Sequence, residues 1–369
     1  METQWRKLVD EIGPLKTVLI HNREAGLEAF VVVDNVACGP AIGGIRMAPD
    51  ITVAEVARLA RAMTFKNAAA GLPHGGGKAG IVGDPAMGRP AKERLVRAFG
   101  RVIRDLVDYI PGPDMGMDEA CMACLYDEIG RAVGLPQVIG GIPLDKIGAT
   151  GFGLAICAEV AQEYAGIALR GARVAVQGFG AVGRHAARFL ADRGAILVAA
   201  ADSRGAVANS AGLDLAALLA FKEAGRSVHE FPRGTALAPD DLLAVDCDIW
   251  IPAARPDVLD GQNAKRLRAK LVLQGANIPA TAEAEELLHT RGVLSVPDFI
   301  ANAGGVICAA VEYHGGTQAQ AFAVIEEKIR QNTHTVLESA RNQKLLPRAA
   351  AIALARARVA EAATYRRSA

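Results

Sequence analysis

The stretch from Arg173 to Asp202 constrains the fold of this chain more than any other. Arg173-Val-Ala-Val-Gln177 is a short apolar run that reads as a strand, and it passes directly into Gly178-Phe-Gly180-Ala181-Val182-Gly183. A helix is expected over 184–193 and a second strand over 195–201, closed by Asp202, 202 − 183 = 19 residues past the last glycine. A lone G-x-G-x-x-G is weak, but the strand before it, the helix after it and the acid at that distance together fit a dinucleotide-binding βαβ unit. The glycines permit the tight turn and let a pyrophosphate approach the helix N-terminus. The bland alternative is a glycine-rich turn of an unliganded doubly wound sheet. Asp202 would accept the ribose 2′-hydroxyl of NAD and repel the 2′-phosphate of NADP; Arg204, two residues on, could do the opposite. NAD is therefore expected and NADP stays possible. Apolar runs over 247–254, 271–276 and 293–296 suit further strands of a parallel sheet.

At 369 residues the chain has room for two domains. Hydrophobic residues make up 51% and charged residues 22%, the balance of a water-soluble globular enzyme. A net charge of +1 points away from nucleic acid and anionic membranes as partners. The polar start, METQWRKLVDEI, lacks the apolar core of a signal peptide, and apolar runs are broken well before a membrane span's length, so a cytoplasmic enzyme is expected. Cys121 and Cys124 form a C-x-x-C without a second ligand pair, so they read as core thiols and no metal is expected.

In the first half, residues 17–22 and 27–35 read as strands around the turn Arg23-Glu24-Ala25-Gly26. Thr52 to Glu55 has the T-x-x-E pattern of a helix start. The apolar stripe that follows, Val56, Leu59, Ala60 and Met63, has the i, i+3, i+4, i+7 spacing, and Lys66 falls next on it. A lysine on that face either snorkels to water or has a task, because an unpaired buried ammonium is costly. The segment GLPHGGGKAGI, Gly71 to Ile81, sets three glycines before Lys78. It is not a phosphate-binding P-loop: Leu72 stands where the first glycine belongs, and Ala79 where Ser or Thr should be. The segment 318–368 reads as helical throughout and is expected to pack back on the first domain.

Several stretches together resemble one family, the amino acid dehydrogenases acting on glutamate, leucine, phenylalanine or valine. They are GPAIGGIRM (39–47), AMTFKNAAAGLPHGGGKAGI (62–81), GPDMGMDE (112–119), ATGFG (149–153), VQGFGAVG (176–183), QGAN (274–277) and PDFIANAGGV (297–306). The resemblance implies an α/β fold of two domains. A substrate and oligomerisation domain would span 1–140 plus about 335–369, and a Rossmann domain 145–330, with C-terminal helices returning to the first. It implies a homo-oligomer acting on small molecules by NAD(P)-dependent oxidative deamination. Lys78 matches the catalytic lysine, Asp114 the general acid/base, and Lys66 the lysine gripping the substrate α-carboxylate. Gly43, Gly44, Ile42, Met63, Gly112, Val306 and Ala309 match the substrate-site lining. Thr150, Gly178, Gly180, Ala181, Val182, Gly183, Asp202, Ser203, Ala253, Gly275, Ala276, Asn277 and Asn302 match cofactor-site positions.

This chain departs from the glutamate pattern. Ile42 stands where glutamate enzymes carry a lysine before the paired glycines, and Ala309 where they carry a serine. Both groups hold the substrate's side-chain carboxylate there. An apolar pocket without partners disfavours a carboxylate strongly, so an apolar amino acid of the phenylalanine, leucine or valine type is expected. Gly112 resembles the phenylalanine-type pattern. The segment ANAGGV sits closer to the glutamate branch and keeps glutamate as the alternative. A non-catalytic nucleotide and amino acid sensor is a reading of another class; Lys66, Lys78 and Asp114, all present, argue against it.

Overall fold

The computed structural model describes residues 9–366; the first eight residues of the polar start and 367–369, the end of the expected tail helix, lie outside them. The chain divides into two units. One holds the chain up to Pro143, Val306–Ala321 and the residues from Ala353 on; the other holds Leu144–Gly305 and Phe322–Ile352. The first division between the units follows Pro143. The tail does not join the first unit as one block over 335–369: it does so in two shorter pieces, and 322–352 belongs to the second unit.

The first unit contains β1 (Lys16–Asn22), β2 (Leu27–Asn35), β3 (Ala41–Ala48), α1 (Val53–Ala69), β4 (Gly75–Val82), α2 (Arg89–Val102), β5 (Tyr109–Pro113) and α3 (Glu119–Ile129). Its sheet has the order β1-β2-β4-β3-β5. β1 and β2 form an antiparallel hairpin, β4 runs antiparallel to β2, and β3 runs parallel to both β4 and β5. Val31, Val32 and Val33 are fully buried, as β-branched residues of an inner strand should be. The glycines before Lys78 are strand residues, not a loop. A Cβ on Gly76 would lie 2.0 Å from the Thr64 nitrogen of α1, and one on Gly75 would lie 1.8 Å from the Asn35 carbonyl oxygen. Helix α1 therefore lies directly on the β4 backbone at Gly76, and the end of β2 lies on it at Gly75, so that only glycine fits at either position. Thr52 caps α1 by accepting from the Glu55 N–H at 3.2 Å. The buried side of α1 runs from Val56, Ala57 and Ala60 to Thr64 and Asn67, leaving Met63 and Lys66 half-buried.

The second unit begins with α4 (Leu144–Ile147) and α5 (Ala149–Ala165). There follow β6 (Arg173–Gln177), α6 (Ala181–Ala191), β7 (Ile196–Asp202), β8 (Gly205–Ala208), α7 (Leu215–Glu223), β9 (Thr235–Leu237), β10 (Ile249–Pro252), β11 (Leu271–Leu273), α8 (Ala282–Thr290), β12 (Leu294–Val296) and α9 (Asp298–Ala301). The sheet order is β12-β11-β10-β6-β7-β8-β9. The five strands from β12 to β7 are parallel, but β8 and β9 add an antiparallel edge, so the sheet is mixed rather than purely parallel. Strand order reverses at β6, which has β10 on one side and β7 on the other; crevices at such points bind ligands in α/β sheets. The chain ends in α10 (Gly304–Tyr313), α11 (Gln318–Gln343) and α12 (Pro347–Thr364). Lys344 in the left-handed region (φ 55°) and Pro347 split the expected single tail helix into α11 and α12. Among the described residues no helix is long and apolar enough to cross a membrane.

Candidate active site and dinucleotide cradle

In the first unit, β4 delivers Lys78 into a nearly closed position, 7% exposed. Its ammonium lies 2.6 Å from Asp114 Oδ2, just past the end of β5. Arg46 of β3 donates to the same oxygen at 3.3 Å through Nε, and to Glu55 Oε1 at 2.8 Å through Nη1. Burial alone would push the Asp114 carboxyl up. The Lys78 charge and hydrogen bond, the Arg46 charge and the Met115 N–H outweigh it and hold the group below its ordinary value. The result is an ionised carboxylate between two cations, placed to accept a proton from Lys78.

Gly43 and Gly44 on β3 make this site possible. A Cβ on Gly43 would lie 1.6 Å from the Gly77 carbonyl oxygen, and one on Gly44 would lie 2.8 Å from Asp114 Cβ. The Gly43 carbonyl accepts from the Tyr109 hydroxyl at 2.8 Å. Asn67 of α1 donates to the carbonyls of Ile42 at 3.3 Å and Gly75 at 2.7 Å, fixing β3 and β4 from behind. Thr64 donates to the buried Asp34 at 2.6 Å.

Beside this charged group lies an apolar one. Ile42, Ile110, Val133 and Ala309 form one buried cluster, with Tyr313 packed against it. Gly112 pairs with Gly44 across β5 and β3, and a Cβ there would meet Val133 Cγ2 at 2.9 Å. Val306 and Ala309, on α10, belong to this unit as well. The structure thus brings Ile42 and Ala309 together, and Lys78 with Asp114.

In the second unit, the glycine turn follows β6. Gly178 N and Phe179 N donate to the Ala201 carbonyl at 2.9 and 2.8 Å, placing the turn beside the end of β7. A Cβ on Gly183 would lie 2.0 Å from Gly178 O, and one on Gly178, at φ +97°, would lie 2.7 Å from Ala253 C. Gly180 faces open space, and it precedes α6 without any side-chain cap. Ala181, Val182 and Gly183 follow it in the first turn of α6. These uncapped N–H groups at an unobstructed glycine fit the pyrophosphate of a dinucleotide. Ala253 N donates to Gln177 O at 2.7 Å, and Gly275 N and Ala276 N donate to Pro252 O at 3.0 and 2.8 Å. Asn302 is buried and donates to the carbonyls of Gly275 and Ala276 and to Asn277 Oδ1 at 3.1–3.3 Å, so it braces that turn from inside. Thr150 opens α5 against α10: a Cβ on Gly305 would lie 3.0 Å from its hydroxyl. Ser203 is exposed, whereas the Asp202 side chain is 9% exposed.

Sequence reasoning quoted Arg46 inside GPAIGGIRM without giving it a task, and did not single out Tyr109, Asn67, Val133 or Tyr313. Polar residues on an otherwise buried helix face, such as Thr64 and Asn67, were the available signal for the bracing of β3 and β4.

The family described as Glu/Leu/Phe/Val dehydrogenase, dimerisation domain, matches residues 16–131, and that described as Glutamate/Leucine/Phenylalanine/Valine dehydrogenase matches residues 140–367. A glutamate dehydrogenase of Aeropyrum pernix is 39% identical over 322 residues, 82% of this chain and 77% of that protein. The hetero-hexameric glutamate dehydrogenase of Thermus thermophilus, in a leucine-bound form, superposes with a TM-score of 0.85 at 32% identity, covering 96% of this chain and 91% of that one. The L-tryptophan dehydrogenase of Nostoc punctiforme superposes with a TM-score of 0.76 at 26% identity, covering 97% and 99%.

Proposed function

The chain belongs to the glutamate/leucine/phenylalanine/valine dehydrogenase family and is an amino acid dehydrogenase using NAD or NADP; within that family we propose that its substrate is an apolar L-amino acid of the phenylalanine, leucine or valine type. The reaction removes a hydride from Cα to the nicotinamide, adds water to the resulting substrate iminium, and releases a 2-oxo acid and ammonia. Lys66 holds the α-carboxylate; Lys78 passes its ammonium proton to Asp114, 2.6 Å away, then as the free amine takes a proton from the attacking water, and Asp114 gives the proton it received to the departing amine.

One observation carries the choice of substrate. The Ile42, Ile110, Val133 and Ala309 cluster, with Tyr313 against it, offers hydrocarbon where a side-chain carboxylate would need donors. Each methylene buried in such a pocket contributes about 0.8 kcal/mol. A glutamate substrate is the second reading, and the comparisons favour it: the relatives of Aeropyrum pernix, Thermotoga maritima and Saccharolobus shibatae are all named glutamate dehydrogenases. Measuring kcat/KM for phenylalanine, leucine, valine and glutamate on the unmodified enzyme decides between them: an apolar substrate is expected to rank first, and glutamate ranking first overturns the proposal. Turnover with none of them would favour the sensor reading. The same reading includes assembly as a homo-oligomer, supported by the dimerisation-domain match over 16–131, and a cytoplasmic location.

A further inference from the structure

Asp202 ends β7 beside the glycine turn, where the adenosine ribose of a dinucleotide lies in a βαβ unit of this kind. An ionised carboxylate has about four acceptor positions, two on each oxygen. Asp202 uses all four. Oδ1 accepts from Arg204 N at 3.0 Å and Ser227 Oγ at 2.7 Å. Oδ2 accepts from Lys222 Nζ at 2.7 Å and Val228 N at 3.0 Å. Burial would push this carboxyl up, but Lys222, Ser227 and the two backbone N–H groups outweigh it and hold the group far below its ordinary value. The side chain is thus charged, matched by Lys222, and without an acceptor position for a ribose hydroxyl.

The groups around it are donors. Ser203 and Arg204 are exposed at the mouth of the turn. Arg204 Nη2 donates to a backbone carbonyl, Gly225 O, at 3.2 Å, rather than to a carboxylate. The nearby acid Glu230 accepts from Ser227 N at 3.1 Å and lies 3.7 Å from Arg226. His229 Nδ1 lies 2.7 Å from Ser227 Oγ. The cations at this end of the cradle are Arg204, Lys222 and Arg226, and the acids Asp202 and Glu230 match two of them. One positive charge is left over among these groups: Glu230 is shared by Arg204 and Arg226, and of the two Arg204 lies at the mouth, beside Asp202 and Ser203.

We propose that the adenosine-ribose end of the cradle receives a 2′-phosphate, so that NADP is preferred over NAD, with Arg204 and the Ser203 hydroxyl as its donors. Asp202, expected from the sequence to select NAD, is engaged inside its own turn instead. This rests on the glycine turn being a dinucleotide site, and the test separates the two ideas. Calorimetric titration of the full chain, without substrate and at fixed ionic strength, compares adenosine 2′,5′-bisphosphate with adenosine 5′-monophosphate. The bisphosphate is expected to bind at least about tenfold tighter, the scale of one charged hydrogen bond. Arg204→Gln is expected to remove most of that ratio while leaving the monophosphate affinity and the melting temperature unchanged. Equal or tighter binding of the monophosphate to the unmodified chain overturns the phosphate preference alone. A ratio unchanged in Arg204→Gln overturns the assignment of that residue, and failure of both nucleotides to bind overturns the cradle together with the proposal.

Discussion

At the scale of single residues, the proposed chemistry concentrates on the contact between Lys78 and Asp114. Two glycine strands bring their backbones together because neither Gly43 nor Gly44 carries a Cβ, and Lys78 then reaches Asp114 at 2.6 Å in a nearly closed site. Arg46 has a different part. It lies 3.3 Å from Asp114 on one side and 2.8 Å from Glu55 on the other, so it steadies the carboxylate without approaching Lys78's role. Lys78→Ala is expected to lower kcat by at least ~10²-fold, the usual scale of a positioned acid/base. The variant should keep its fold and its affinity for the dinucleotide, since the cradle residues lie in the other unit. Steady-state kinetics with a circular-dichroism melt checks this; turnover near that of the unmodified enzyme would remove Lys78 from the mechanism. Arg46→Gln should cost less than Lys78→Ala, because Asp114 keeps its closer cation.

At the scale of elements, α10 is the piece on which the proposed substrate choice turns, because it carries both Val306 and Ala309. Glu312 fixes it. This buried carboxylate accepts from Leu135 N at 3.0 Å and Ile142 N at 2.8 Å, joining α10 to the segment that holds Val133. Burial pushes the Glu312 carboxyl up against the opposing pull of those N–H groups. At the same helix end, His314 Nε2 lies 3.1 Å from Nε2 of the buried His74, just before β4. Glu312→Ala strands two buried N–H groups, at about 1–3 kcal/mol each. Urea unfolding should show that loss, and KM for the proposed apolar substrate should rise more than kcat falls. A variant as stable as the parent with unchanged KM would show that α10 is held by other means. Elements of this kind were unevenly legible in the sequence. β2 and β6 could be read to the residue because each is a compact apolar run rich in valine. β4 could not, since Gly75, Gly76 and Gly77 have no strand preference; the close approach of Asn35, of α1 and of the Tyr109 ring, in that order, explains them. β8 and β9 are too short to show a period. In the site, Lys78 and Asp114 were legible through the family pattern. The saturation of Asp202 was not, because Lys222 and Ser227 lie 20 and 25 residues away along the chain.

At the scale of the whole molecule, the question is how copies of the chain meet. With a net charge of +1, long-range repulsion does little to keep them apart. The first sheet ends in β1, whose outer edge has no strand beside it among the described residues. Along β1, Ile20 is buried while Leu19, on the opposite face, is 70% exposed, and Leu15 just before the strand is 54% exposed. An exposed edge strand carrying apolar side chains invites pairing with another chain unless a charge or proline guards it. Here the residue at the middle of the strand is leucine, not a guard. The dimerisation-domain match begins at residue 16, the first residue of β1. A second copy is therefore the expected neighbour of this edge. Leu19→Lys places a charge there without touching the buried side of the sheet, so the protomer should keep its melting behaviour at high dilution. Its association should weaken about tenfold or more, because burying one unpaired ammonium costs more than the ~1.4 kcal/mol that factor represents. Light scattering behind size exclusion, over a hundredfold range of protein concentration, reads this directly. A mass that is unchanged from the parent's across that range would place the contact between copies elsewhere on the molecule.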